Sequence, residues 1–284
     1  MTTKHPYFEF EQKTFEIDEF DCASIFLLVG EEKALVIDTG IGIGDLKGVI
    51  HRLTDKPLTV VLSHGHSDHI GNCGAFEEVY MHPADQEIFP YPESVEARRG
   101  YAATIAHREH KSYPYTEEDF PVYEKMPLLR PLQDGQVFDL GGRKVTAWHC
   151  PGHTPGEMVF IDDQTRILFC GDACNNNLGL FSPVDSPAFV SVERAAQALH
   201  RIYDMREHYD KVYNGHHDYR GFGAPLADDV LPNAVQCYDD ILEGHPNLVE
   251  VPDMFDPASG KTRIVAMRGK TMVFYHQNGI WDKK

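Results

Sequence analysis

The sequence predicts an α+β protein in which short strands outnumber helices. Three observations carry this. Apolar runs of four to seven residues, such as 24–30 (SIFLLVG) and 34–38 (ALVID), recur along the chain between polar turns. Apolar residues at three- and four-residue spacing are confined to a few longer segments. No internal repeat, low-complexity tract or Pro/Ser-rich linker interrupts the 284 residues, so a single domain over 1–284 is expected.

Residues 1–40 read as β structure, with 24–30 and 34–38 joined as a hairpin across the polar turn 31–33. The stretch 43–53 reads as a helix, because Leu46, Val49, Ile50 and Leu53 fall on one face. Residues 59–62 form a short buried strand and 63–71 the loop after it. Strands are expected at 137–140, 144–150, 158–162 and 167–170. A helix over 192–206 puts Ala195, Ala196, Leu199, Ile202 and Tyr203 on one face, with Ser191 as its N-cap. A strand at 211–214, a helix at 228–243 and two last strands at 262–266 and 271–276 complete the set. The stretch 91–124 breaks this rhythm. It is rich in Tyr, His, Glu and Arg with little two-residue alternation, and reads as an inserted, partly helical segment over the core.

The net charge of -18, with histidines neutral, repels phosphate backbones and anionic lipid. Nucleic acid and membrane surfaces are therefore not expected as partners, and a small-molecule substrate is. No apolar run approaches the roughly 20 residues of a spanning helix, and the first twenty residues contain no apolar signal core. The six cysteines form no dense framework or C-x-x-C pair, and reduced thiols in a cytoplasmic protein are the expectation.

The chemistry concentrates in 60–69, VVLSHGHSDH, where His64, His66, Asp68 and His69 follow a strand. Residues two apart in extended chain share a side, so His64 and His66 can point together. Asp68 and His69 follow after a bend and can face a neighbouring site, and small Gly65 and Ser67 leave room for two ions. Zinc accepts neutral imidazole and carboxylate alike. The alternative, a polar loop with surface histidines, gives no reason for such density of ligand types. Three further segments end strands: His153 within HCPGHTPG, aimed by Pro and Gly, Asp172 after LFCG, and His216 in YNGHH. Asp172 is a cap or turn residue on one reading and a carboxylate bridging two cations on the other. Four such segments would converge on one rim of a sheet core.

These segments resemble the metallo-β-lactamase superfamily. His64, His66, Asp68 and His69 match its H-x-H-x-D-H motif. His153, Asp172 and His216 match its later single His, bridging Asp and Gly-His, and Asp38-Thr39-Gly40 matches a recurrent early feature. The resemblance covers roughly residues 20–220 and implies a four-layer αβ/βα sandwich, two mixed sheets face to face with helices outside and metals at one edge. It implies one metal on His64, His66 and His153, and another on Asp68, His69 and His216, with Asp172 shared. Two zinc ions are the implied cofactors, with iron or manganese as alternatives. His217 competes with His216 for the ligand role, which falls to His216 because the family ligand directly follows the glycine. His149 reads as a strand residue supporting the ligands.

Two such cations share a water and lower its pKa toward neutrality, giving a bridging hydroxide. Asp68 would orient this nucleophile as well as bind metal, which makes it the catalytic candidate. The expected function is hydrolysis of an ester, thioester, lactone or phosphodiester. Alternatives are a mononuclear iron oxygenase acting on a persulfide and a non-catalytic binding protein. Asp172 stands where many true β-lactamases carry Cys or Ser, and His66 where flavodiiron proteins carry Glu. The chain also ends in strands, unlike the helical glutathione-binding end of glyoxalase II-like enzymes. The glycines of 40–44 (GIGIG) only partly imitate a phosphate loop. The expected substrate walls are 174–181 and the 91–124 segment, whose Tyr101, His107, His110, Tyr113 and Tyr115 are candidates for contacting a ligand or a second copy of the chain in a homodimer, or for packing the segment down.

Overall fold

The computed structural model describes residues 1–217, 220–253 and 259–282. The first sheet runs β1 (Tyr7–Glu11), β2 (Thr14–Asp18), β3 (Ser24–Val29), β4 (Ala34–Ile37), β5 (Leu58–Val61), β6 (Glu78–Met81) and β7 (Leu128–Pro131), in that order. It is antiparallel as far as β4 and parallel from β4 to β7. The second sheet holds β8 (Val137–Asp139), β9 (Lys144–His149), β10 (Met158–Asp162) and β11 (Ile167–Phe169). Then β12 (Asn177–Gly179) leaves for a third sheet, and β13 (Lys211–Tyr213) returns to give the order β13-β11-β10-β9-β8. The third sheet runs β12-β16-β15-β14, from β14 (Leu248–Pro252), β15 (Thr262–Arg268) and β16 (Thr271–Phe274).

Side-chain alternation explains the layering. In β3, Ile25, Leu27 and Val29 face one core while Phe26 and Leu28 face another; Ala34 and Val36 against Leu35 and Ile37 repeat the division in β4. The second sheet does the same, with Met158, Phe160, Ile167 and Phe169 inward and Val159, Ile161 and Leu168 outward. Strands buried on both faces read as continuous apolar runs, so the inner faces make the central core. The outer face of the first sheet buries α1 (Leu46–Leu53), and that of the second buries α5 (Val192–Asp204) and α6 (Val230–Leu242). This is the expected αβ/βα sandwich.

Element ends shift for physical reasons. The first helix starts at Leu46, three residues later than expected, because Gly42 and Gly44 adopt φ of 94° and 71° and Asp45 caps it by accepting from Gly48 N. Ser191 caps α5 by accepting from Arg194 N, as expected. The 63–71 loop contains a single helical turn, α2 (Ser67–Ile70), too short to show a period. In 83–124 the helices are α3 (Pro83–Ile88) and α4 (Val95–Arg108). Strands β7, β12 and β14 were not expected individually, while β6 ends at Met81, where a strand end is expected. All six cysteines are buried and free. No helix among the described residues is long and apolar enough to cross a membrane.

Candidate metal centre

Strand ends of both face-to-face sheets deliver the donors to one rim. His64 and His66 follow β5, Asp68 and His69 ride on α2, His153 lies between β9 and β10, Asp172 follows β11, and His216 follows β13. All seven converge, in overlapping groups whose donor atoms lie within 4.8 Å of one another: His64 with His66 and His153, His64 with His69 and Asp172, and Asp68 with His69 and His216. His153 Nε2 is 2.9 Å from His66 Nδ1. Asp172 Oδ2 lies 3.7 Å from His153 Nε2 and 3.3 Å from His216 Nε2, and its Oδ1 lies 3.9 Å from His69 Nε2. That carboxylate therefore sits between the two sets. Gly215 is required here, since a Cβ on it would lie 2.6 Å from His69 and 2.9 Å from Asp172 Oδ1.

Ring orientation is set from behind. Ser63 donates from Oγ to Asp38 Oδ2 at 2.8 Å, so its oxygen is left to accept from His64 Nδ1 at 3.0 Å. His69 Nδ1 donates to Asp38 Oδ2 at 2.9 Å, and His153 Nδ1 to the Gly179 carbonyl at 2.9 Å. Each bond fixes a tautomer and turns the ring's Nε2 toward the cluster. Asp38 holds a left-handed φ of 67° at the end of β4, where it meets His69 directly and His64 through Ser63.

Three supporting carboxylates went beyond the sequence reading. Asp38 was seen only as part of a motif, and Asp85 and Glu157 carried no local signal. Asp85 accepts from Gly65 N at 2.8 Å, Thr154 Oγ1 at 2.8 Å and Gly156 N at 2.6 Å, stitching the His64–His66 loop to the His153 loop. Glu157 accepts from Asp172 N at 2.9 Å, and its other oxygen lies 3.6 Å from His64 Nδ1. Burial and the neighbouring Asp172 charge push the Glu157 carboxyl well up. An Asp four residues after Met81 and a Glu four residues after His153 would have been the only clues.

The electrostatics differ across the cluster. Burial, then the facing imidazoles, hold His64 well below the ordinary histidine range, and burial with His153 brings His66 down to about 3. Burial opposes charge on His69 too, but Asp68 and Asp38 outweigh it and raise it to about 9. Burial likewise works against ionising Asp68 and Asp172. The histidines around them prevail, lowering Asp68 and taking Asp172 well below the usual range.

Other expectations sort out by contact. His217 points away from the cluster, its Nε2 3.1 Å from Asp18 and 3.4 Å from Asp21. His149 ends β9, stacks on His82 at 4.0 Å and has its Nε2 2.9 Å from the Pro155 carbonyl. The room at Gly65 belongs to Phe89, whose Cβ would be 2.5 Å from an added Cβ, and Ser67 Oγ accepts from Glu93 N at 3.0 Å, so neither small residue simply clears space for ions. In 91–124, Tyr101 donates to Asp68 Oδ2 at 2.8 Å. Tyr113 and Tyr115 pack beside Phe20 and stack on each other at 5.9 Å, while His107 and His110 are exposed. In 174–181, Cys174, Leu178 and Leu180 are core residues and the Gly179 carbonyl holds His153. The Gly-rich 40–44 loop is already filled: Glu19 accepts from Ile41 N, from Gly42 N at 3.1 Å and from Ile43 N at 2.8 Å. The chain's own carboxylate occupies the place a phosphate would need.

The donor set fits divalent cations. His64 Nε2, His69 Nε2 and Asp172 Oδ1 are buried without a hydrogen-bond partner, and all three belong to the cluster. A buried polar atom left unpaired costs about 1–3 kcal/mol, and coordination to a cation removes that cost for each of them.

Comparison with known proteins places the chain in a family. The Metallo-beta-lactamase superfamily pattern matches residues 20–216. The chain is 30% identical over 234 residues to the Homo sapiens protein named acyl-coenzyme A thioesterase MBLAC2, covering 76% of this chain and 81% of that one. The Gallus gallus protein of the same name is 30% identical over 237 residues, covering 76% and 80%. Among solved structures, a metallo-beta-lactamase from Pontibacter korlensis superposes with a TM-score of 0.55 at 16% identity, over 84% of this chain and 100% of that one. The sec-alkyl sulfatase PisA1, in a double-mutant form, superposes with a TM-score of 0.57 at 15% identity, over 89% of this chain and 46% of that one. Those two structures speak for the fold alone. With the sandwich, the ordered ligand segments and the pattern match in agreement, this chain belongs to the metallo-β-lactamase superfamily.

Proposed function

We propose that this chain is a metal-dependent hydrolase of an acyl thioester, with two divalent cations, zinc first among the candidates. His64, His66 and His153 would hold one, Asp68, His69 and His216 the other, and Asp172 both. The observation that carries the reading is the Asp172 carboxylate, lying 3.7 Å from His153 Nε2 on one side and 3.3 Å from His216 Nε2 on the other. A complete second set, Asp68 with His69 and His216, favours two ions over the single iron of an oxygenase. Thioester is chosen over ester, lactone and phosphodiester because relatives at 30% identity are named acyl-coenzyme A thioesterases.

Bound cations supply Lewis acidity and lower the pKa of water toward neutrality. The chain supplies the rest. Hydrolysis joins a water oxygen to the acyl carbon, breaks the C–S bond and puts a proton on sulfur. Asp68, kept ionised by the histidines around it and with Oδ2 3.7 Å from His216 Nε2, is the group placed to accept a hydrogen bond from the water and orient it. The rings need no reorganisation, because Asp38, Ser63 and Gly179 already fix them.

The test is a panel on zinc-replete protein. Release of free thiol from acetyl-, octanoyl- and palmitoyl-coenzyme A is measured beside p-nitrophenyl acetate, a lactone and bis(p-nitrophenyl) phosphate, with metal analysis. The expected result is the highest kcat/KM on a thioester and about two zinc per chain. A preference for the lactone or phosphodiester sinks the thioester choice; one iron and no hydrolysis sinks the hydrolase.

A further inference from the structure

Helix α4 is tied to the rim by one face. Arg98, Tyr101, Ala102 and Ile105 recur at helical spacing and point inward. Arg98 is 3% exposed. Its guanidinium donates to the carbonyls of Ile41 and Gly42 at 3.3 Å, Gly71 at 3.4 Å and Pro121 at 2.8 Å. This fastens the helix to the glycine loop and to the end of α2. One turn on, the Tyr101 hydroxyl meets Asp68 Oδ2 at 2.8 Å. A carboxylate on a free rotor presents its oxygens over a wide arc; a donor on Oδ2 fixes its plane and leaves Oδ1 3.9 Å from His69 Nε2.

The same segment reaches the other end of that donor set. Lys111 Nζ donates to Asp21 Oδ2 at 2.7 Å, Tyr113 donates to the same oxygen, and Asp21 Oδ1 lies 3.4 Å from His217 Nε2, next to His216. Asp18 shares His217 at 3.1 Å. The tri-histidine side takes its supports from elsewhere: Ser63 behind His64, Gly179 behind His153, and Asp85 across both loops.

We infer that the 91–124 segment completes the Asp68–His69–His216 half of the centre, with Tyr101 as the positioning residue for Asp68 and the Tyr113–Asp21 contact as the tie on the His216–His217 loop. A second divalent cation binds tightly only with this segment docked. The inference rests on the metal-centre reading of the proposed function but not on its thioester substrate. Outer partners of metal ligands typically contribute ~10–100-fold to affinity, and here such partners on one half come from a segment outside both face-to-face sheets.

The experiment is a zinc titration against a competing chelator on the full chain, comparing wild type with Tyr101→Phe, Tyr101→Ala and Tyr113→Phe. Thermal unfolding of the metal-free proteins is measured alongside. In both Tyr101 variants the first zinc should bind as in wild type and the second should weaken roughly tenfold or more. Tyr113→Phe should weaken the same ion by less. The metal-free melting temperature of Tyr101→Phe should stay at the wild-type value, separating the hydroxyl's role from packing. Wild-type binding of both zinc ions by Tyr101→Phe overturns the inference, since the ring alone would then suffice. Wild type that binds at most one zinc overturns both the inference and the two-metal reading. The expected zinc pattern without thioester cleavage upholds the inference and removes only the substrate.

Discussion

His64, His66 and His153 are held by the Ser63 hydroxyl, the Gly179 carbonyl and the Asp85 carboxylate of α3, whereas Asp68 takes a hydrogen bond from Tyr101 and the His216–His217 loop is linked through Asp21 to Lys111 and Tyr113, all three from 91–124. In the first set, burial and the neighbouring imidazoles hold His64 and His66 well below the ordinary histidine range, in the neutral form a metal takes. The second mixes two imidazoles with a carboxylate, and there His69 is raised to about 9 by Asp68 and Asp38 against burial. Two ligand triads on one rim thus differ in how they are built. One is a product of the sandwich itself, and the other depends on what lies over it.

The largest effect should come from the residue common to both. Asp172→Ala removes a ligand from each triad, so metal content and turnover should fall together, turnover by more than ~100-fold, beyond the span typical of outer partners. Full metal occupancy at near-normal rate would show that the two triads do not share it. Next comes the pair at the end of β13. His216→Ala should leave about one ion per chain, while His217→Ala should keep two, because His217 lies against Asp18 and Asp21. Metal analysis giving the reverse pattern moves the ligand by one residue. A smaller, one-sided effect is expected of Asp85→Asn, which disturbs the contacts to Gly65, Thr154 and Gly156. Zinc titration should show the tri-histidine ion weakened ~10–100-fold and the other unchanged; equal weakening of both would erase the proposed division.

The smallest effect concerns the flank that carries α4. His5 packs on Phe20, its Nε2 lies 2.9 Å from the Ile43 carbonyl, and burial lowers it to about 4. A histidine lowered in the folded state binds fewer protons there than when unfolded. Its contribution is therefore complete above about pH 6.5 and lost as pH falls toward 4. His5→Gln should flatten the melting temperature across that window by ~2–4 °C relative to wild type. Identical slopes for the two proteins would remove His5 from the acid response.

The strands and helices were legible in the apolar pattern, and their arrangement as a sandwich in the family resemblance. Residues 25–29 and 34–37 are apolar throughout, as strands buried on both sides must be, and α5 shows its face at Ala195, Ala196, Leu199 and Ile202 with Ser191 as cap. The seven residues that converge on the rim stood out because their segments follow strands and carry small residues. What stayed hidden has no local pattern. Asp85 and Glu157 are single carboxylates whose meaning is three-dimensional. Tyr101 was one of several aromatic candidates, and nothing in 91–124 distinguishes it from Tyr113 or Tyr115 until α4 is docked. Strands β7 (LLRP) and β12 (NLG) are too short and mixed to stand out as apolar runs.

His153 takes its orientation from the Gly179 carbonyl, and Gly179 lies on β12, which pairs in parallel with β16. The ring that serves the tri-histidine side is therefore aimed by a strand whose partner, Thr271–Phe274, follows all seven donors in the sequence. During synthesis the nascent chain exposes five of the seven donors before Asp172 and His216 appear, and it lacks the strand that seats β12 until after all seven have emerged. Contacts so distant in sequence form late, because loop closure precedes any gain from them. An emerging polypeptide thus presents histidines without the geometry to capture an ion firmly, and loading with metal becomes an event of the finished molecule.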